Sequence, residues 1–247
     1  MNAIETTGLT KCFRGRTAVE DLNLTIAQGE FFALLGQNGA GKTTTIRMLT
    51  CLLAPSAGDA FLMGESISRN AEAAKAHSNL SPQETAIAQN LTVRENLMLI
   101  ARLYGANKAD AAGRAEAAMR EFGLSARARD RAKTLSGGMQ RRLSIAMALI
   151  TKPNVLFLDE PTLGLDVRAR RELWKTISAL KGKVTVVLTT HYLEEAEALA
   201  DRIGIMHEGR LQALGTAAAL CAETNTTNFE DAFLALTESE SEKEAAL

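Results

Sequence analysis

Gly36, Gly39 and Gly41 fall within six residues of one another in the run GQNGAGKTT, directly behind the apolar stretch FFALL. The spacing fits the pattern G-x-x-x-x-G-K-[ST]. Glycine permits a tight turn in which successive main-chain N–H groups point inward, and a helix beginning near Lys42 adds the positive end of its dipole. Such a nest accepts an anion. Lys42 then reaches β- and γ-phosphate oxygens as a mobile point charge, and the Thr43 hydroxyl is placed to ligand Mg²⁺. Asn38, Ala40 and Thr44 complete the loop. The expected ligand is a nucleoside triphosphate held between a strand and a helix.

Composition excludes several alternatives. Lys plus Arg number 28 against 29 for Asp plus Glu, a net charge of -1, so no global field draws the chain to nucleic acid or anionic lipid, and no nucleic-acid partner is expected. Cys12, Cys51 and Cys221 are scattered and odd in number, which suits a reducing compartment and opposes a disulfide framework or a clustered metal site. The N-terminus shows no basic region followed by an apolar core, and the apolar runs LSIAMALI and VLFL are separated by Lys152 and Pro153. The chain is therefore expected neither to span nor to cross a membrane.

Apolar runs near Leu22 to Ile26, Phe31 to Leu35, Val155 to Asp159 and Val184 to Thr189 read as strands buried on both faces. Helical patterns alternate with them: Lys42 to Leu53, Asp166 to Leu180 with Asp166 as N-cap and Gly182 past the end, and Tyr192 to Leu199. This alternation implies an α/β fold with a wound, mostly parallel sheet. Between Glu84 and Ile150 the texture changes to helix after helix with no strand. Thr92 and Glu95 form a capping box opening VRENLMLIARLYG, Gly105 closes it, and an alanine-rich helix from Ala109 to Phe122 ends at Gly123. Past Arg202 the chain reads as a hairpin turning at Glu208 and Gly209, then short helices, then the acidic tail SESEKEAAL. One domain over 1–237 is expected, with a core of 1–83 and 151–220, a helical subdomain over about 84–150, C-terminal helices within 216–237 and a frayed tail over 238–247.

In VLFLDEPT, Asp159 ends a buried strand where it meets Mg²⁺ or its waters beside the glycine loop. Glu160 follows and is the candidate base that orients and polarises the water attacking the γ-phosphate. LSGGMQRR supplies a second nest, Ser136, Gly137 and Gly138, at the start of a helix running through Ile150. It is most useful covering the other face of the nucleotide, either by folding over or from another subunit. The arginines Arg114, Arg120, Arg127, Arg129 and Arg131, interleaved with Glu116, Glu121 and Asp130, read as a solvated helical face.

GQNGAGKTT, LSGGM, VLFLDEP and a histidine after the next strand, in this order and across nearly the whole chain, resemble the ATP-binding subunit of an ABC transporter. That resemblance implies a P-loop NTPase core, an N-terminal antiparallel β portion and an inserted helical subdomain. It also implies a head-to-tail homodimer or heterodimer of ATP-binding subunits in which Ser136, Gly137 and Gly138 act in trans on ATP. Gln83 matches the family's Q-loop glutamine, which touches Mg²⁺ and senses the membrane subunit; His191 matches the switch histidine at the γ-phosphate; Asp166 resembles the D-loop aspartate and is also an N-cap. Phe13 falls where the family stacks an aromatic on adenine, a burial in the core being the competing reading. Met139 departs from the commoner glutamine and resembles drug and polysaccharide export subunits. The implied place is the inner face of the cell membrane, on the cytoplasmic side, held through a separately encoded integral membrane permease. A non-transport ATPase acting as regulator or scaffold is the alternative.

Overall fold

The computed structural model describes residues 1–238, so the SESEKEAAL tail lies outside the described residues. The chain opens with β1 (Asn2–Phe13), β2 (Arg16–Ala27), β3 (Phe31–Leu35) and α1 (Lys42–Leu49), then β4 (Ala57–Leu62), β5 (Glu65–Ser66), α2 (Ala71–Ala76) and β6 (Ser78–Ser81). Three helices follow: α3 (Val93–Leu103), α4 (Lys108–Glu121) and α5 (Gly137–Leu149). The last part alternates again through β7 (Val155–Asp159), α6 (Val167–Ser178), β8 (Thr185–Thr190), α7 (Leu193–Leu199), β9 (Arg202–His207), β10 (Arg210–Gly215), α8 (Ala217–Thr224) and α9 (Phe229–Thr237).

These strands form two sheets. One has the order β2-β1-β4-β5 and its pairings are antiparallel; the other has the order β10-β9-β3-β8-β7-β6, parallel throughout except for the β9–β10 edge. β3 sits inside the larger sheet with both faces covered, which is why FFALL carries no polar alternation. Phe32 and Leu34 face a core shared with β1, β2 and α1, while Phe31, Ala33 and Leu35 face helices on the other side. Burying each such large side chain contributes about 1.5–3 kcal/mol, so the strand that carries the glycine loop is firmly anchored.

Two expectations need correction. Leu22 to Ile26 belongs to β2, where Leu22, Leu24 and Ile26 are buried and Asn23 and Thr25 exposed. It alternates because an antiparallel sheet there has one wet face. The helix read as Lys42 to Leu53 ends at Leu49. Cys51 takes the left-handed conformation at φ 54°, its N–H bonds Met48 O at 2.9 Å, and Leu52 N–H bonds Arg47 O at 2.9 Å. This is a Schellman turn built on cysteine rather than the glycine that usually signals one.

Elsewhere local chemistry and structure agree. The Thr92–Glu95 capping box is formed, Asp166 accepts from Ala169 N at 2.9 Å, and Gly105 and Gly123 adopt positive φ after α3 and α4. Glu208 and Gly209, at φ 47° and 81°, make the two-residue turn between β9 and β10 with both φ values positive. Among the described residues the stretch 84–150 holds no strand, only an isolated bridge between Thr92 and Arg131. Arg114 pairs with Asp110 at 2.6 Å and Arg127 with Asp130 at 3.0 Å near the surface, contacts worth less than about 1 kcal/mol each.

Candidate nucleotide-binding site

The glycine loop connects the C-terminal end of β3 to α1 and is shaped by its surroundings. A Cβ on Gly36 would stand 2.4 Å from Met206 O, and one on Gly41, at φ 103°, would stand 2.5 Å from Ala18 O. Both positions exclude a side chain. The hairpin turn props the loop from behind: Gly209 N–H donates to Ala40 O at 3.1 Å, and Glu20 N–H donates to Gly209 O at 2.8 Å. No side chain caps the N-terminus of α1, so its first-turn N–H groups remain directed at an incoming anion.

Lys42 lies across this loop, only 5% exposed. Its Nζ donates to Gly36 O at 2.8 Å and Gln37 O at 3.1 Å and stands 3.6 Å from Glu160 Oε1. Burial lowers its pKa, and the neighbouring Glu160 and Asp159 carboxylates oppose that shift. An ammonium has three donors, so the two loop carbonyls leave it capacity for an anion.

Asp159 closes β7 and is buried; Thr189 Oγ1 donates to its Oδ1 at 2.5 Å and Thr43 Oγ1 donates to the same oxygen at 3.3 Å. Thr43 and Asp159 thus form a small oxygen cluster from two elements. Among the described residues no three His, Cys, Asp or Glu side chains converge as metal ligands. That donor set fits Mg²⁺, which keeps several waters and takes its remaining oxygens from a bound phosphate. Glu160 comes next, buried, with its main chain in the left-handed region at φ 44°. A non-glycine residue there costs about 1–2 kcal/mol and persists because its surroundings fix it. Its N–H bonds both Thr189 O and Thr189 Oγ1 at 3.1 Å. His191 Nδ1 lies 3.3 Å from Glu160 Oε1 without hydrogen-bond alignment.

Whereas Asp159 lines an adjoining cleft together with Thr43 and Gln83, one cleft of about 690 Å³ is lined by Phe13, Lys42, Thr43, Gln83, Glu160 and His191. That is a volume suited to a nucleotide-sized ligand. Asn38, Gly39, Gly41 and Thr44 line it too, whereas Gly36 and Ala40 lie behind as scaffold. Phe13 is 46% exposed at the mouth, so it is not a core residue. A cleft of similar size, about 670 Å³, opens at the other end of the sheet near Gln28, Lys152 and Lys183, and no residue of the glycine loop lines it.

Ser136, Gly137, Gly138 and Asp166 do not line the nucleotide cleft. Ser136 caps α5, accepting from Met139 N at 3.4 Å, and a Cβ on Gly138 would lie 3.1 Å from the Ala169 Cβ in α6. The second nest therefore packs beside the Asp166 cap and away from the loop that carries Lys42.

Three buried polar residues carry no local signal of their partners in the sequence. Thr189 holds Asp159, and it belongs to a polar pair ending an apolar strand, VTVVLTTH. Glu195 is fully buried, accepts from Trp174 Nε1 at 2.9 Å, and burial raises its pKa against the hydrogen bonds that lower it. Arg141 is buried in α5 on the side of Ile145 and Ala148, a cation in an apolar stripe.

Comparison with known proteins adds an independent line. The family model described as ABC transporter matches residues 19–163. The daunorubicin/doxorubicin resistance ATP-binding protein DrrA of Streptomyces peucetius is 45% identical over 220 residues, covering 88% of this chain and 66% of the relative. Nod factor export ATP-binding protein I of Paraburkholderia xenovorans is 44% identical over 222 residues, covering 89% of this chain and 73% of the relative. A solved structure described as the ATP binding subunit of an ABC transporter superposes with a TM-score of 0.84 at 30% identity, covering 96% of this chain and all of that one.

Proposed function

Because the chain belongs to the ABC transporter family, with ATP binding and hydrolysis as its activity, we propose that it is the motor subunit of an exporter acting through a separately encoded membrane permease. The observation that carries this reading is the single cleft onto which Lys42, Thr43, Gln83, Glu160 and His191 converge, in a chain similar to export and drug-resistance ATP-binding proteins.

In the proposed mechanism the loop N–H groups and Lys42 bind the β- and γ-phosphates of ATP, and Phe13 stacks on the base. Thr43, Asp159 and Gln83 would hold Mg²⁺, which when bound would supply positive charge beside the phosphate oxygens. Glu160 accepts a proton from the attacking water, and His191 hydrogen-bonds the γ-phosphate. Ser136, Gly137, Gly138 and Asp166 complete the site of a second subunit in a head-to-tail dimer. Residues 84–150 form the subdomain that meets the permease, at the cytoplasmic face of the membrane. Among the described residues no helix is long and apolar enough to cross a membrane.

Co-expression with a candidate membrane permease, followed by ATPase assays with candidate exported compounds, tests the reading. A compound that is exported raises turnover; purified chain that releases no phosphate from Mg·ATP defeats the assignment. The trans arrangement has its own test. Lys42→Ala and Ser136→Ala chains, each inactive alone, are expected to regain about a quarter of wild-type turnover when mixed equally, since half the dimers carry one intact composite site. No recovery on mixing means that the sites are not shared.

A further inference from the structure

Arg141 lies five residues past Ser136 and its side chain is only 4% exposed. Among the described residues it makes no ion pair within contact distance of a carboxylate; each of its donors instead meets a main-chain carbonyl. Nε donates to Pro161 O at 2.6 Å, Nη1 to Pro82 O and to Gln83 O at 3.1 Å, and Nη2 to Asp159 O at 3.0 Å and Glu160 O at 2.7 Å. A guanidinium has five N–H donors in a rigid plane and no acceptor, so this fork is saturated. Burial pulls its pKa down to about 10, and the fork stays cationic at neutral pH.

The acceptors belong to two segments distant in sequence, the loop after β6 and the end of β7. They are the peptides that carry Gln83, Asp159 and Glu160. The Glu160 peptide is in the left-handed region, and the Nη2 bond to its carbonyl is one of the contacts that keep it there. The helix supplying the guanidinium is also the one that starts at the Ser136 nest.

We propose that Arg141 is a positioning residue for ATP hydrolysis, its guanidinium fixing the main chain of Gln83 and of Glu160 relative to α5 so that both side chains present to the cleft together. The inference rests on the ATPase reading above.

Arg141→Lys keeps the charge but gathers three donors on one nitrogen, and Arg141→Met removes them all. For both, kcat is expected to fall about 10- to 100-fold while ATP affinity by calorimetry stays within about threefold, because a displacement near 1 Å is enough to cost that much in rate. Unchanged kcat in folded Arg141→Lys overturns the proposal, as does a loss of ATP affinity as large as the loss of kcat. Nitrogen-15 NMR of the nucleotide-free wild-type chain tests the fork directly. Separate, slowly exchanging Nη–H signals for Arg141, absent from Arg141→Lys, support it; averaged, rapidly exchanging signals overturn it. If the fork signals are held but wild-type protein hydrolyses no ATP, the ATPase reading fails and takes with it the hydrolytic role given to this residue.

Discussion

Glu160→Gln is expected to keep ATP bound while lowering turnover about 100- to 10,000-fold, the range over which a positioned general base acts. The amide is nearly isosteric with the carboxylate and leaves the left-handed main chain, held by Thr189 and Arg141, in place. What it removes is the acceptor for the proton of the attacking water. Because the ion pair with Lys42 at 3.6 Å is also lost, the lysine becomes freer to serve the phosphates, and affinity should hold or rise. Bound ATP that is not split should accumulate a dimer, seen by size-exclusion chromatography with Mg²⁺ and ATP. Wild-type turnover in this variant removes the role assigned to Glu160.

Lys42→Ala fails earlier, at binding. Nothing else in the loop places a cation beside the terminal phosphates, and truncating one partner of a buried charged pair costs about 2–4 kcal/mol, or about 30- to 900-fold in affinity. The substitution also leaves Glu160 without its ammonium neighbour, which adds repulsion between that carboxylate and the phosphates. Calorimetry is expected to show this weakening. Ordinary ATP affinity in Lys42→Ala contradicts the proposed phosphate contacts.

The residues of these two experiments were legible before any fold was known because their chemistry is contiguous. Gly36 to Thr44 is one uninterrupted segment, and Asp159 and Glu160 are adjacent at the end of one apolar run. The Thr92–Glu95 capping box, the Asp166 N-cap and the Glu208–Gly209 turn are local as well, and so the helices α3 and α6 and the β9–β10 hairpin are readable. What escaped depends on distance along the chain. Arg141 is defined by carbonyl oxygens 18 to 59 residues away, and a carbonyl has no sequence identity. Thr189 is defined by an aspartate 30 residues earlier. The strands β1, β4 and β6 are interrupted by polar residues and derive their stability from pairing rather than from an apolar run. Cys51 ends α1 without the usual glycine, so no residue in the sequence marks that helix end.

The placement of β3 has a consequence for how the protein is made. Its two neighbours in the sheet are β8 and β9, both synthesised more than 150 residues after it. A growing chain leaving the ribosome therefore carries its glycine loop on a strand without either sheet neighbour until residues near 190 have emerged, and the turn at Gly209 that braces the loop follows only after β9. Nucleotide cannot template the early stages of folding; capture of ATP reports that synthesis of the catalytic half is essentially finished.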